Sequence, residues 1–238
     1  MNIALIFAGG AGQRMNTKSK PKQFLDLHGK PIIIYTLEHF QNHPLIDAIV
    51  IVCLKDWIKT LKRLLTDYGI SKVKAITSGG KTGHDSIYLG LDCMKTFVQN
   101  DDIVLIHDGV RPLITEELIT QNIQVTKTLG NAITVESVRE SVVRSSDGKS
   151  IDDVPPRDNM YVAKAPQTFF FKDIFQAYQR GQKDGFKSID SAHLCHEYDI
   201  TLHMVKSTKN NMKITEPADY YILRALYDAI ENEQIWGL

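Results

Sequence analysis

Short, strongly apolar runs alternate along the chain with longer segments of helical period, and this alternation limits the folds that the chain can adopt. The runs are rich in Ile, Val and Leu, as is typical of strands that are covered on both faces of a sheet. They span residues 3–7, 48–54, 73–77, 103–106, 132–135 and 201–205. The pattern predicts βαβ units, and therefore an α/β fold with a mostly parallel sheet flanked by helices.

Helices are predicted between these runs. They cover residues 58–68, 87–94, 116 onwards, 217–230 and, on weaker patterns, about 31–40 and 172–180. Thr115 stands before two glutamates, which is typical of a helix N-cap with acidic residues in the first turn. Pro217 suits the first turn of the last helix, where its missing N–H is not needed.

One segment, residues 137–162, breaks the alternation because it is rich in charge, Ser, Asp and Pro. Within it, Asp147-Gly148 is a turn signal. We interpret the segment as a β-arm that projects from the domain and packs on a second subunit, because an exposed arm gains little stability by itself. A surface loop is the alternative. The sequence thus predicts one domain, residues 1–238, and a homodimer formed through the arm.

Charge and cysteine content exclude several classes of protein. The 28 Lys and Arg residues balance 28 Asp and Glu residues, which argues against a broad positive surface for nucleic acid or anionic membrane. Cys53, Cys93 and Cys195 have neither the number nor the spacing of a disulfide framework or a zinc ribbon. The first residues are typical of a strand rather than of a signal peptide, and we expect no membrane span because no apolar stretch is long enough. We therefore expect a cytoplasmic protein that binds neither nucleic acid nor membrane.

A glycine-rich loop follows the first predicted strand. It reads F-A-G-G-A-G-Q-R-M over residues 7–15, and glycines there let backbone N–H groups converge on a phosphate. A dinucleotide fingerprint would need a third glycine where Met15 stands, and the G-K-[ST] ending of a P-loop is absent. Arg14 and Lys22 could clamp a polyphosphate, the first through its guanidinium fork and the second as a point charge.

Five blocks of sequence, in order, cover nearly the whole chain. They are A-G-G-A-G-Q-R-M at 8–15 with P-K-Q-F at 21–24, G-G at 79–80 with D-S at 85–86, H-D-G-V-R-P at 107–112, A-P-Q-T-F at 165–169, and N-M-K-I-T at 211–215. Together they resemble the CTP-dependent polyol-phosphate cytidylyltransferases, a family that includes enzymes for 2-C-methyl-D-erythritol 4-phosphate and for D-ribitol 5-phosphate. The resemblance implies a Rossmann-like sheet of the nucleotidyltransferase type, and transfer of CMP from CTP to a sugar-alcohol phosphate.

The same resemblance implies roles for individual residues. The catalytic cations would be Arg14, Lys22, Arg157 and Lys213, of which the first two face the triphosphate and the last two position the acceptor's phosphate. Cytidine and ribose would be held by Phe7, Ala8, Gly9 and Gly10 and by Gly79, Gly80, Asp85 and Ser86. The substrate contacts would be Asp108, Arg111, Ser141 and Asp190, with Ser141 acting across a dimer. Arg111 is either such a contact or an ion-pair partner of Asp108.

Asp108 follows the predicted strand 103–106 and so lies at a carboxyl strand end, where open α/β sheets bind ligands. A carboxylate placed there among phosphates is suited to help hold Mg²⁺. His107 is more simply explained as structural than as a base. His193 and His196 are three residues apart, but no further ligand lies nearby in sequence. Trp57 and Trp236 are interpreted as core or interface anchors.

Three positions depart from the family pattern and affect the choice of acceptor. Gly83 stands where relatives have Arg, so that a nucleotide contact is lost or is supplied by Lys81 or His84. Ala165 and Ile189 each stand where relatives have Thr. Around residues 153–169 the chain is closer to the ribitol branch, so D-ribitol 5-phosphate is the favoured acceptor and methylerythritol phosphate the alternative. A non-catalytic nucleotide-binding relative is the hypothesis from another class.

Overall fold

The computed structural model describes residues 1–10, 15 and 20–236, with side chains described as far as residue 232. The strands are β1 (Asn2–Ala8), β2 (Asp26–Leu27), β3 (Lys30–Pro31), β4 (Ala48–Cys53), β5 (Val73–Ser78), β6 (Ile103–Asp108), β7 (Ala132–Ser137), β8 (Tyr161–Phe170) and β9 (His203–Lys206). The helices are α1 (Ile32–Asn42), α2 (Ile58–Asp67), α3 (Gly83–Met94), α4 (Glu116–Thr128), α5 (Phe171–Asp184), α6 (Ser191–Glu197) and α7 (Pro217–Trp236).

Seven strands form one sheet in the order β5-β4-β1-β6-β8-β7-β9. β1 pairs in parallel with β4 and β6, β4 pairs in parallel with β5, and β7 pairs in parallel with β9. β8 is antiparallel to both of its neighbours, β6 and β7. The predicted α/β fold with a mostly parallel sheet is therefore confirmed, and all six predicted strands are present, the last of them beginning at His203 rather than at residue 201.

The sheet is buried on both faces, as its apolar strands predict. On one face, α1, α2 and α4 pack their apolar sides against β1, β4 and β6. On the other face, α3, α5 and α6 do the same. α7 packs in a third cluster, which joins Leu223 to Ile214, Val110 and Ile32. No helix in the described part of the chain is long and apolar enough to span a membrane.

The helix signals read from the sequence are also confirmed. The Thr115 side chain accepts a hydrogen bond from the backbone N–H of Leu118 and so caps α4. Pro217 is the first residue of α7. The two weaker patterns correspond to α1 and α5, which extend beyond the predicted ends to Asn42 and Asp184.

β8 is the main element that the sequence pattern missed. Its first half, from Tyr161 to Gln167, mixes small, charged and amide side chains with Pro166, so it shows neither an apolar run nor a clear alternation. Hydrogen bonding to β6 and β7 on either side stabilises this strand although its own sequence pattern is weak. Because β8 runs antiparallel to β6, and Gln167 pairs with Ile106, this first half lies at the carboxyl end of β6.

The segment between β7 and β8 is largely exposed and contains little regular structure. A single antiparallel bridge joins Arg144 to Asp153. Between them the chain turns at Asp147 and Gly148, where the glycine has a φ of +68° and the Asp147 carboxylate accepts hydrogen bonds from the backbone N–H groups of Lys149 and Ser150. The turn predicted at this place is confirmed, whereas the pairing that would make a regular β-arm is limited to one bridge.

Candidate active site

A cleft of about 540 Å³ opens beside the carboxyl end of β1, and we call it the glycine-loop cleft. The predicted residues Phe7, Ala8, Gly9 and Gly10 line one side of it. Other parts of the cleft are lined by Lys22, Asp108 and Lys213, and by Gly80, Lys81, Thr82, Gly83 and Ser86 from the second glycine segment. The cleft thus collects residues from four of the five motif blocks at the carboxyl edge of the sheet. Arg14 lies outside the described residues.

A buried amide shapes the start of the glycine loop. Gln23 is 1% exposed, and its side-chain N–H₂ donates to the carbonyl oxygens of Ala8 at 2.7 Å and Gly10 at 3.3 Å. Gln23 precedes Phe24, whose ring stacks on Trp57 at a centroid distance of 4.6 Å. The two hydrogen bonds of Gln23 thus hold the end of β1 in place from a position 13 to 15 residues away in sequence. The stack confirms the prediction that Trp57 is a packing residue; the side chain of Trp236 lies outside the described part.

The loop between β5 and α3 forms the opposite wall. A Cβ atom on Gly80 would lie 2.5 Å from the Cβ of Asp85, so only glycine fits at this position. The Ser86 hydroxyl accepts a hydrogen bond from the Gly80 N–H at 3.0 Å and donates to the Thr82 carbonyl at 2.8 Å. Gly79 lies behind this wall, with its Cα near Gly9. The two glycine segments therefore approach each other closely, as a nucleoside site built from backbone groups requires.

The Asp85 side chain lies at the start of α3. Its carboxylate accepts a hydrogen bond from the Thr82 N–H at 3.1 Å, and the Thr82 hydroxyl accepts from the Asp85 N–H, which together make a capping box for α3. The side chain is exposed and also accepts from Gln182 at 3.3 Å. It does not line the glycine-loop cleft. Its role here is to fix the start of α3, and with it Gly83 and Ser86.

The Asp108 carboxylate forms ion pairs with the side chains of Arg111 and Lys213. Its carboxylate oxygens lie 2.7 Å from Lys213 Nζ and 2.8 Å from Arg111 Nε, and its side chain is 14% exposed. Burial by itself would raise the pKa of Asp108, but the charges of Lys213 and Arg111 outweigh that effect and hold the pKa well below its usual range. The carboxylate is therefore ionised at neutral pH, and Arg111 is an ion-pair partner of Asp108.

The segment from Asn211 to Thr215 ties the site together. The Asn211 side chain donates to the Ala165 carbonyl in β8 at 2.7 Å, and the backbone carbonyl of Asn211 accepts from the Arg111 guanidinium at 3.0 Å. Ile214 donates its N–H to the Val110 carbonyl at 3.0 Å and accepts from Lys22 Nζ at 2.7 Å. Lys22 and Lys213 are thereby brought to one cleft although 190 residues separate them in sequence.

A second cleft, of about 330 Å³, lies beside the first half of β8, and we call it the β8 cleft. It shares Phe7, Gly83, Asp108 and Lys213 with the glycine-loop cleft, so that the two clefts meet at these residues. Its further lining includes His84, Arg111, Lys164, Gln167, Ser188, Ile189 and Asp190. The molecule thus offers two adjoining spaces, with a carboxylate and a lysine at their junction.

Asp190 is fixed in the β8 cleft by two hydrogen bonds. One carboxylate oxygen accepts from the Gln167 side chain at 2.9 Å, and the other accepts from the His193 N–H at 2.8 Å, as the N-cap of α6. The side-chain oxygen of Gln167 in turn accepts from the Ala192 N–H at 3.0 Å. Another pair, His84 Nδ1 and Ser188 Oγ, lies 2.9 Å apart. This part of the cleft wall is therefore held in place by hydrogen bonds between polar side chains.

The two predicted site residues of the arm segment lie away from both clefts of this chain. Arg157 is exposed, and its guanidinium donates to the Arg139 carbonyl at 3.1 Å. Ser141 is exposed as well. Neither lines the glycine-loop cleft or the β8 cleft. One copy of the chain does not bring these residues together with Lys22, Asp108 and Lys213.

His107 is a structural residue, as expected. It is 1% exposed, it contacts the ring of Phe40, and its Nε2 lies 3.2 Å from the Arg111 carbonyl. Burial lowers its pKa to about 3, so the ring is neutral at physiological pH. It supports the loop that carries Asp108 and Arg111. His193 and His196 belong to no group of three metal-ligating side chains within the described residues.

Three amide side chains help to position the site, and none of them was given a role from the sequence. Gln23, Gln167 and Asn211 each donate to, or accept from, groups that shape a cleft. All three lie within the recognised motif blocks, and all three are less than 7% exposed. An uncharged amide inside a block of charged and glycine residues is the signal that could have identified them.

Comparison with known proteins fits this geometry. The model of the 2-C-methyl-D-erythritol 4-phosphate cytidylyltransferase family (IspD) matches residues 2–228. A "Ribitol-5-phosphate cytidylyltransferase" of Streptococcus agalactiae serotype V is 48% identical over 239 residues, covering 100% of both chains. A "2-C-methyl-D-erythritol 4-phosphate cytidylyltransferase" of Clostridium botulinum is 34% identical over 92% of this chain and 93% of its own.

A solved structure supports the same relationship. The 4-diphosphocytidyl-2C-methyl-D-erythritol synthase of Anaerococcus prevotii superposes with a TM-score of 0.83 at 27% identity, over 95% of this chain and 96% of that one. The fold, the ordered motif blocks and the family model agree over nearly the full length. This chain therefore belongs to the 2-C-methyl-D-erythritol 4-phosphate cytidylyltransferase family.

Proposed function

We propose that this protein transfers CMP from CTP to D-ribitol 5-phosphate and releases pyrophosphate, giving CDP-ribitol. The observation that carries the proposal is the meeting of two clefts at Asp108 and Lys213. A transfer between two bound reactants needs two adjoining sites with fixed charge between them. The three cysteines are free, which fits a reducing compartment, and we place the reaction in the cytoplasm.

CTP binds in the glycine-loop cleft. Backbone groups of residues 7–10 and of the wall around Gly80 and Ser86 hold the cytidine, because glycines on both sides leave room for it. Lys22 lies in the same cleft and faces the triphosphate, and the resemblance gives Arg14 the same role. Lys81 lines this cleft, whereas His84 lines the other, so Lys81 is the residue placed to replace the Arg that relatives carry at Gly83.

The reaction is a displacement at the α-phosphorus. An oxygen of the acceptor's phosphate forms the new bond to the α-phosphorus, and the bond from this phosphorus to the α,β-bridging oxygen breaks. The electron pair leaves with pyrophosphate. Because the attacking oxygen is already anionic, the site needs no general base; it needs cations that neutralise the charge growing on the phosphate oxygens. Lys22 and Arg14 supply this on the nucleotide side, and Lys213 supplies it at the junction.

The residues present fit a Mg²⁺ ion that takes most of its ligands from phosphate and water. Mg²⁺ is commonly held by one or two carboxylates together with substrate phosphates. Asp108 is the carboxylate that lines both clefts, and each of its oxygens keeps a lone pair beyond the one used by Lys213 or Arg111. Bound there with CTP, the ion would neutralise charge on the triphosphate.

The acceptor site is completed by a second copy of the chain. Arg157 and Ser141 are exposed and lie outside the clefts of their own chain, although an acceptor phosphate calls for cations beyond Lys213. In a homodimer formed through residues 137–162, the arm of one subunit would bring these two residues to the β8 cleft of the other. Asp190 and Gln167 would then contact the acceptor from the β8 side.

Ribitol 5-phosphate is favoured over methylerythritol phosphate because of the relatives and the cleft. The relative named for ribitol 5-phosphate is 48% identical over the full length, against 34% for the one named for methylerythritol phosphate. The β8 cleft also presents Asp190 and Ser188 to a ligand, which suits a chain of hydroxyl groups.

Pyrophosphate release from CTP tests the proposal. The purified protein is mixed with CTP, Mg²⁺ and, separately, ribitol 5-phosphate or methylerythritol phosphate. Release with ribitol 5-phosphate at a rate well above that with methylerythritol phosphate is expected. The reverse preference would contradict the acceptor choice, and tight CTP binding with no release for any acceptor would indicate a non-catalytic relative.

A further inference from the structure

A lysine in the β8 cleft has no role in the mechanism above. Lys164 stands in the first half of β8, on the cleft side, and its side chain is 11% exposed. It forms an ion pair with Glu136 of β7, whose side chain is 21% exposed. Among the described residues, Glu136 is its only ionic partner. A charged pair is thus held in the wall of the cleft rather than at the protein surface.

A buried ion pair is a poor way to stabilise a strand. The loss of hydration of two charges offsets most of their mutual attraction, and apolar residues of similar volume often serve as well or better. The ammonium group of Lys164 has three N–H donors, and one acceptor group, the Glu136 carboxylate, engages it. Donors therefore remain for a ligand in the cleft that Lys164 lines.

The position of Lys164 indicates which part of the ligand it meets. The reacting phosphate must lie at the junction of the two clefts, beside Asp108 and Lys213. Lys164 lines the β8 cleft but not the glycine-loop cleft. Since Glu136 neutralises its charge, the pair exerts little net attraction on a phosphate, whereas its N–H donors can still bind hydroxyl oxygens. We propose that Lys164 determines acceptor specificity by donating hydrogen bonds to hydroxyl groups of the polyol chain away from the phosphate, an inference that rests on the proposed function.

Two variants test this inference. Lys164→Met removes the donors, and the double variant Lys164→Met with Glu136→Gln also removes the carboxylate that would be left unpaired. Lys206→Met, at an exposed position of β9, which pairs with β7, is the matched control. For each, KM is measured separately for ribitol 5-phosphate and CTP. The inhibition constant of glycerol 3-phosphate, which carries the same phosphate but lacks the distal hydroxyls, is measured against ribitol 5-phosphate.

Both Lys164 variants are expected to raise KM for ribitol 5-phosphate by about 10- to 100-fold, the usual loss for hydrogen bonds from a charged donor. KM for CTP and the inhibition constant of glycerol 3-phosphate stay within about twofold, as do all three constants of the control. If the parent is active and the Lys164 variants keep its KM for ribitol 5-phosphate, this inference alone is overturned. Equal weakening of glycerol 3-phosphate also overturns it, because it places Lys164 on the phosphate. A parent inactive with every polyol phosphate overturns the proposed function as well.

Discussion

Loss of the Asp108 charge is expected to disturb the junction between the two clefts more than any other single change. Asp108→Asn keeps the size of the side chain but leaves Arg111 and Lys213 beside each other without a carboxylate. Removing one partner of a buried ion pair costs about 3–5 kcal/mol. Arg111 is 11% exposed and belongs to this class, whereas Lys213 is 36% exposed and is discounted for screening by solvent. Because Asn keeps one acceptor oxygen, we expect the free energy of unfolding to fall by about 3 kcal/mol.

Turnover should fall by more than the loss of folded protein alone would cause. Arg111 and Lys213 lose their fixed positions, and loss of one preorganised charge contact lowers turnover by about 10²- to 10³-fold. Urea unfolding and pyrophosphate release would be measured on the same samples. Asp92→Asn is the matched control, because Asp92 pairs with Lys95 three residues later, as Asp108 does with Arg111, but on the surface. An Asp108→Asn variant as stable and as active as the control would refute the reasoning.

Three further predictions concern the clamp, the arm and pH. Lys22→Ala should lower turnover by about 10²- to 10³-fold in the pyrophosphate assay, while Lys20→Ala, outside the glycine-loop cleft and paired with Asp26 at 2.6 Å, should leave it near normal. Mixed dimers of Arg157→Ala and Lys22→Ala subunits should recover activity, because one of their two sites keeps both residues; verified mixed dimers without activity would contradict an arm that acts across the dimer. Burial keeps the pKa of His107 near 3 in the folded protein, whereas its pKa in the unfolded chain is about 6.5. Below pH 6.5 the unfolded chain therefore binds a proton that the folded protein does not. The contribution of neutral His107 to stability is present above pH 6.5 and is lost as pH falls. Between pH 6.5 and 4.5, the free energy of unfolding of His107→Gln should therefore fall by about 2–3 kcal/mol less than that of the parent, as measured by denaturant unfolding. Exposed His196→Gln is the reference. An equal fall in His107→Gln and the parent would contradict this prediction.

The strands and helices could be predicted from the sequence because their signals are local. Ile, Val and Leu runs mark β1, β4 and β6, and the order of glycine and carboxylate residues at their ends places the glycine loop and Asp108 at one edge of the sheet. β8 could not be predicted in this way, because its first half is stabilised by pairing with β6 and β7 rather than by its own pattern.

The parts of the site that depend on distant contacts were also beyond local patterns. Nothing near Lys22 in sequence shows that the carbonyl of Ile214 accepts its hydrogen bond. The Asp85 carboxylate caps α3, a local role that suits an acidic residue at a helix N-terminus, whereas a contact of this residue with the nucleotide stays a prediction. The positions of Ser141 and Arg157 in a second subunit stay a prediction.

Isotope labelling of the acceptor tests the central claim most directly. Ribitol 5-phosphate labelled with ¹⁸O on its phosphate oxygens is incubated with CTP, Mg²⁺ and the protein, and the products are analysed by mass spectrometry and ³¹P NMR. If the acceptor's phosphate attacks the α-phosphorus where the two clefts meet, CDP-ribitol carries the label, including the oxygen that bridges the two phosphorus atoms, and the pyrophosphate is unlabelled. Label in the pyrophosphate, or CMP in place of CDP-ribitol, would contradict the account.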